Sequence, residues 1–329
     1  MIALALAAGA LVPAAGAWGV AAESQDEPSG GVGIRLVDAP VATAENPRAN
    51  VYIIDHVAPG TVIERRVEVS NSTGESTIVT VYPAAAQIAD GNFVGEPEAT
   101  QNELSSWIAV SPSAPELASG EQAEVDVEID VPADATVGEH YGVIWAEVTD
   151  APESGGVTAV TRVGIRIYLS VGEGTAPVSD FTIGGLTASR TDDGSPSVEA
   201  TVTNSGERAL DLTAQVSLSD GPGGVSAGPF STEPVTTLGI GESAPMRVDL
   251  DPLLPNGPWR ADVTVTSGLE ERSIEAELTF PEAGATAEAT VDDGVPLVVV
   301  IAIVVLAALA AVIGAIVFAR KRSQASLQA

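Results

Sequence analysis

His56 and His140 are the only histidines among 329 residues, and there is no cysteine. A catalytic or zinc site would need these groups beside positioned carboxylates. The two fall in different predicted strands or loops, with nothing at ligand spacing near either. No Gly-x-Ser-x-Gly elbow marks an esterase nucleophile. The sequence therefore predicts no enzyme, no catalytic residue, no metal site and no cofactor. Three turns offer oxygen ligands: Asp90-Gly91-Asn92, Asp192-Asp193-Gly194 and Asp292-Asp293-Gly294. None is a full calcium loop closed by a Glu, and Asp or Asn followed by Gly is what a hairpin turn asks for in any case.

The aromatic and arginine residues suit recognition instead. Tyr141, Val143 and Trp145 alternate with Gly142, Ile144 and Ala146, so the first three share one strand face. That face is either an exposed stacking patch or packs beneath a neighbouring insertion. Trp107 and Trp259 read as core anchors. Arg162 and Arg166 also share one face of their strand. They suit either a ligand carboxylate, held by the guanidinium fork, or cross-strand ion pairs with the many acids.

Period-two alternation organises the elements that must position these residues. In Ala123–Val131 the apolar Val125, Val127, Ile129 and Val131 alternate with Glu124, Asp126, Glu128 and Asp130, the signature of a half-buried strand. Val62–Val69 and Thr161–Val171 behave alike, and turn dipeptides such as Asp90-Gly91, Asp193-Gly194 and Ser205-Gly206 separate the runs. This is an all-β pattern of antiparallel sandwiches. A patternless stretch, Gly172–Pro177, divides residues 31–173 from 177–281. An internal repeat supports two domains. Val69-Ser70-Asn71-Ser72 and Leu117…Gly120-Glu121 in the first answer to Val202-Thr203-Asn204-Ser205 and Leu238…Gly241-Glu242 in the second. The Asn-to-Gly interval is longer in the first by about a dozen residues, an insertion that includes Asp90–Asn102. Loops inserted on a rigid sandwich are where binding resides. The predicted ligand-binding residues are thus Asp90, Asn92 and Phe93 in the insertion, with Tyr141, Trp145, Arg162 and Arg166 beside it.

The two ends place the whole. Val295–Ala319 is uncharged and longer than the roughly 20 residues that cross a bilayer. Arg320-Lys321-Arg322 follows at once, which puts the tail 320–329 in the cytoplasm. Residues 1–22 read as a signal peptide, although no base precedes the apolar run; a second spanning helix is the competing reading. Residues 282–294, rich in Ala, Thr, Glu and Gly, read as a flexible stalk. The expected fold class is therefore all-β, two tandem immunoglobulin-like antiparallel β-sandwiches plus one C-terminal transmembrane α-helix. The expected location is the cell membrane, with the large N-terminal portion outside. All 45 acids precede the apolar run and the net charge is −31, which excludes nucleic acid as a partner. Without cysteine, stability outside the cell rests on the cores. Aromatics at 4% weigh against a sugar-stacking cleft.

One set of motifs carries a family resemblance: the Pro59-Gly60 turn, Val69-Ser70-Asn71, Asp90-Gly91, Trp107-Ile108-Ala109-Val110, Leu117…Gly120-Glu121, and Val131-Pro132-Ala133-Asp134 leading to Gly138-Glu139-His140-Tyr141-Gly142. Together these resemble the peptidoglycan-binding domain of the WxL-interacting cell-surface proteins. That family pairs such a domain with a second immunoglobulin-like domain, a C-terminal transmembrane helix and a basic tail. The resemblance implies binding to peptidoglycan or another wall component and contact with other surface proteins. The alternative is a protein–protein adhesion or scaffold module that docks secreted proteins by strand-edge pairing.

Overall fold

Alternating apolar and polar residues give each strand one face to bury, and two such sheets close over the apolar faces. The computed structural model describes residues 31–39, 45–150, 158–232 and 235–291. The expected signal peptide, transmembrane helix and cytoplasmic tail lie outside the described residues, among which no helix is long and apolar enough to cross a membrane.

The first sandwich contains β1 (Val32–Leu36), β2 (Ile53–Val57), β3 (Val62–Asn71), β4 (Thr77–Ile78), β5 (Thr80–Ala89), β6 (Asn92–Gly95), β7 (Ile108–Ser111), β8 (Glu116–Leu117), β9 (Gln122–Asp130), β10 (Gly138–Asp150) and β11 (Ala159–Val171). One sheet has the order β1-β3-β9-β7 and the other β2-β11-β10-β5-β6. Val67, Val69, Val125, Val127 and Ile129 from the first meet Ile144, Ala146, Ile165, Ile167 and Leu169 from the second in one core. The second sandwich contains β12 (Phe181–Arg190), β13 (Pro196–Asn204), β14 (Leu210–Ser219), β15 (Ala227–Ser231), β16 (Thr236–Leu238), β17 (Ser243–Asp249), β18 (Trp259–Ser267), β19 (Glu270–Leu278), β20 (Thr286–Glu288) and β21 (Thr290–Val291). Its sheets run β17-β13-β12-β20 and β15-β14-β18-β19-β21, with β16 beside β14. Phe181, Trp259 and Phe280 anchor its core.

Two expectations need correction. The sheets are not wholly antiparallel: β2 runs parallel to β11, with Ile53 opposite Ile167 and Val57 opposite Val171. The chain leaves β2 by the Pro59-Gly60 turn for the other sheet, so β2 reaches its neighbour without a hairpin. Trp107 closes a short 3₁₀ turn, Leu104–Trp107, and packs half-buried against the first core. The stalk expected over 282–294 is shortened, because β20 pairs with β12 and β21 with β19. Thr286-Ala287-Glu288-Ala289 alternates with period two, a pattern that its stalk-like composition disguises, and Ala289 packs against the second core.

The internal repeat is one hydrogen-bonded corner built twice. Asn71, buried at the end of β3, donates from Nδ2 to the carbonyls of Glu75 at 2.7 Å and Leu117 at 2.9 Å. Its Oδ1 accepts from the Thr73 amide at 2.9 Å. Asn204, at the end of β13, donates to the carbonyls of Arg208 at 2.8 Å and Gly239 at 3.0 Å, and accepts from the Gly206 amide at 3.0 Å. The Glu121 and Glu242 carboxylates close the facing turns by accepting from the amides of Ala118 at 2.9 Å and Gly239 at 2.7 Å. Gly120 and Gly241 supply the left-handed φ of 80° and 75° that these turns require. Truncation of either Asn orphans buried carbonyls. Asn71→Ala and Asn204→Ala are each expected to cost roughly 2 kcal/mol, measured as a lower urea midpoint at unchanged slope.

Candidate functional site: the seam between the sandwiches and the strip beside it

The outward face of the sheet β2-β11-β10-β5-β6 holds Phe93, Tyr141, Trp145, Arg162 and Arg166. Register fixes this: Tyr141 stands opposite Tyr168, Val143 opposite Arg166, Trp145 opposite Gly164 and Glu147 opposite Arg162. The second sandwich covers one end of this face.

At the covered end a carboxylate from the second sandwich enters the first. The Asp211 side chain, on β14, is 4% exposed. Its Oδ1 accepts from Arg166 Nη1 at 2.9 Å, from the Tyr168 hydroxyl at 2.9 Å and from Thr237 Oγ1 at 2.7 Å. Its Oδ2 accepts from Arg48 Nε at 2.9 Å. Arg48 also donates from Nη1 to the Ala209 carbonyl at 3.1 Å. A 3₁₀ turn, Pro47–Asn50, capped by the Asn46 side chain, presents Arg48. Asn46 in turn fills the space over Gly268, where a Cβ would lie 2.6 Å from its Oδ1. The two guanidiniums are held over rings, Arg48 at 4.8 Å from Tyr168 and Arg166 at 5.1 Å from both Tyr52 and Phe93. Phe93, Tyr141 and Tyr168 pack edge-to-face or tilted at 5.2 to 6.5 Å.

A second carboxylate, Glu139, points the other way across the seam. Its Oε2 accepts from the Ala209 amide at 2.6 Å and the Tyr141 hydroxyl at 2.8 Å. Burial pushes the Glu139 carboxyl above the usual range, opposed by these hydrogen bonds and by Arg208 and Arg48. Burial and the facing carboxylates likewise raise the Tyr141 and Tyr168 hydroxyls. One backbone bond completes the seam, from the Thr237 amide to the Gly91 carbonyl at 2.8 Å.

The uncovered end of the face forms a strip. Trp145 donates from its indole to the Glu96 carbonyl at 2.8 Å. Its ring occupies room left by two glycines: a Cβ at Gly164 would come within 2.6 Å of the ring and one at Gly95 within 2.7 Å. Glu147 accepts from the Tyr82 hydroxyl at 2.6 Å and stands 3.3 Å from Arg162 Nε. Burial and Glu147 push Tyr82 up to about 12. Arg162 lies 5.9 Å from the Trp145 ring centre.

The predicted residues thus separate into three places. Phe93, Tyr141 and Arg166 meet in the seam. Trp145 and Arg162 form the strip. Asp90 and Asn92 sit at the tip of the β5–β6 hairpin, lining a groove of about 490 Å³ with Thr232, Val235, Pro245 and Arg247 of the second sandwich. The insertion therefore lies against a neighbour rather than projecting alone: its Phe93 packs on Tyr141, whereas Trp145 meets it only at Gly95 and Glu96 and stays half-buried. Arg162 makes a cross-strand pair with Glu147, whereas the charge of Arg166 is met by Asp211 across the seam. The sequence reading missed Arg48, Tyr168, Glu139 and Asp211. Tyr168 was visible as an aromatic on the supposed solvent face of β11; Asp211, between Leu210 and Leu212, looked like an ordinary exposed acid. The Asp90 and Asp193 turns are hairpin turns, and no described group of three or more His, Asp or Glu is placed to hold a metal ion.

No family model matches the chain, and no curated protein matches it. Solved structures with a similar course of the chain include several bacterial chaperones. The CupB2 chaperone of Pseudomonas aeruginosa is 11% identical, with 70% of this chain and 97% of that chain covered at a TM-score of 0.36. The DraB chaperone of E. coli is 12% identical, with 69% and 95% covered at 0.36. The CsuC–CsuE chaperone–tip adhesion subunit complex of Acinetobacter baumannii gives 13%, 70%, 96% and 0.35. The two-sandwich architecture is established by the strand pairing described above, not by these likenesses.

Two outcomes follow from the seam. Asp211→Ala leaves the largely buried Arg48 and the half-buried Arg166 without a counter-charge and is expected to cost roughly 3 kcal/mol. Calorimetry then resolves two transitions in place of one, and limited proteolysis cuts faster within 172–180. Glu139 has a raised native pKa, so its contribution is complete below the ordinary value of 4.5 and is lost as pH rises through the native value. Against Glu139→Gln, the unaltered chain is therefore expected to lose melting temperature progressively above pH 4.5.

Proposed function

We propose that this is a non-enzymatic, single-pass surface protein whose first sandwich binds a wall component, with peptidoglycan as the leading ligand. The observation that carries the reading is the strip itself. Trp145 lies on two glycines beside a half-exposed Arg162–Glu147 pair and Tyr82, an aromatic surface with charged groups at its edge. Such a surface takes a sugar ring on the indole and a peptide carboxylate or amide on the flanking charges. The resemblance to the peptidoglycan-binding domain of the WxL-interacting proteins points the same way, and so does the expected C-terminal anchor, which would hold the sandwiches next to the wall. The immunoglobulin-like assignment of both sandwiches belongs to this proposal. The clamped seam supports a rigid two-domain body that presents the strip at a fixed angle.

Protein docking by strand addition is the second reading. It is favoured by β1 and β7, each of which has one strand neighbour among the described residues, leaving a backbone edge for a partner strand.

Co-sedimentation of residues 31–291 with purified wall sacculi tests the first reading. The unaltered fragment is expected to pellet, and Arg162→Ala and Trp145→Ala to weaken binding roughly tenfold without loss of the folded circular dichroism signal. Failure of the unaltered fragment to pellet at both low and physiological salt removes the wall ligand and leaves partner docking.

A further inference from the structure

Three polar side chains stand side by side across β2, β11 and β10. Ser170 is opposite His56 on one side and opposite Glu139 on the other, so the strand spacing of about 4.8 Å sets them in a row on one face. All three line a cavity of about 300 Å³ at the edge of the seam. Ser170 is 2% exposed, and its Oγ has no hydrogen-bond partner among the described residues. The same holds for both ring nitrogens of His56 and for Glu139 Oε1, each of them buried. The other Glu139 oxygen is fully engaged, by Tyr141 and the Ala209 amide. Buried polar atoms left unpaired each cost about 1–3 kcal/mol. A row of them along one open cavity is therefore a place where a ligand restores what folding has forfeited.

The chemistry of the row selects the ligand. Ser170 Oγ, an imidazole nitrogen and Glu139 Oε1 are three acceptors. An ammonium carries three donors and no acceptor. The rim adds two exposed acids, Glu173 and Glu207, and two exposed apolar side chains, Val137 at 72% and Ile240 at 50%. The nearest opposing charge is Arg208, with Nε 3.8 Å from Glu139 Oε1. Arg48 also acts on Glu139 but is met by Asp211, so the three carboxylates outweigh the remaining guanidinium, and an anion is repelled and a cation drawn in. The rim contacts an aliphatic stem while the floor takes the charged head.

We infer that this cavity binds a primary ammonium on an aliphatic stem, the group a lysine side chain presents. The site is separate from the Trp145 strip and stands whether or not that strip binds the wall.

Histidine NMR on the full chain in mild detergent tests it, because ring-labelled histidine gives only two residues to follow. Titration with N-acetyl-lysine amide is expected to move the His56 ring signals saturably, with half-saturation at about 1 mM or below, and to leave His140 in place. N-acetyl-norleucine amide, which lacks the ammonium, is expected to move neither. Ser170→Ala removes one acceptor and is expected to raise the half-saturation concentration roughly tenfold. The inference is overturned if His56 shows no saturable shift, if norleucine amide or butyrate shifts it equally, or if Ser170→Ala binds lysine amide as well as the unaltered chain.

Discussion

One buried carboxylate decides how the two sandwiches relate. Asp211 accepts from two arginines and a tyrosine of the first sandwich while bonded to Thr237 of its own. Alone, either charge would be prohibitive to bury; together, with every acceptor site engaged, they are tolerated. Such a pair adds little net stability over an apolar contact, but it is unforgiving of displacement. It specifies one angle and one register between the sheets. Arg48 owes its position to the 3₁₀ turn at Pro47, and Arg166 and Tyr168 owe theirs to the alternation of β11. The local structure of both partners is therefore committed to the clamp.

The clamp also changes what the first sandwich can offer to solvent. Its five-stranded sheet carries an unusual concentration of this aromatic-poor chain's rings. The second sandwich takes Tyr52, Phe93, Tyr141 and Tyr168 into the seam, and Trp145 and Tyr82 remain beyond its edge. Binding capacity and domain docking thus compete for the same face, and the boundary between them falls between Val143 and Trp145.

Much of the architecture was legible because period-two alternation is a direct readout of a half-buried strand. Val125 to Val131 show it best: the sheet face follows from the sequence residue by residue. The twin Asn and Gly-Glu corners were legible for the same kind of reason, since a corner needs particular groups at particular places. The seam was not. A sandwich strand alternates in the same way whether its polar face meets water or another domain. Arg166 opposite an acid of the same sheet and Arg166 opposite Asp211 have the same local sequence. The difference lies in a contact 45 residues away, which no local pattern encodes. Composition misled in one place, where the Ala, Thr and Glu of residues 286–289 suggested a stalk and instead extend the second sandwich.

The parallel neighbour of β11 has a mechanical meaning. β11 pairs along its whole length with β10, from Ala159 to Val171, and with β2 on its other side. It then runs directly into the segment that leads to the second sandwich. A pull transmitted from that side is directed along β11, parallel to its own axis. Its ladder bonds on both flanks then lie across the load and share it, so that they must slip together. Strands pulled from an edge open like a zip, one bond after another. The β2–β11–β10 trio is built as the opposite case, a shear joint at the point where force would enter the first sandwich.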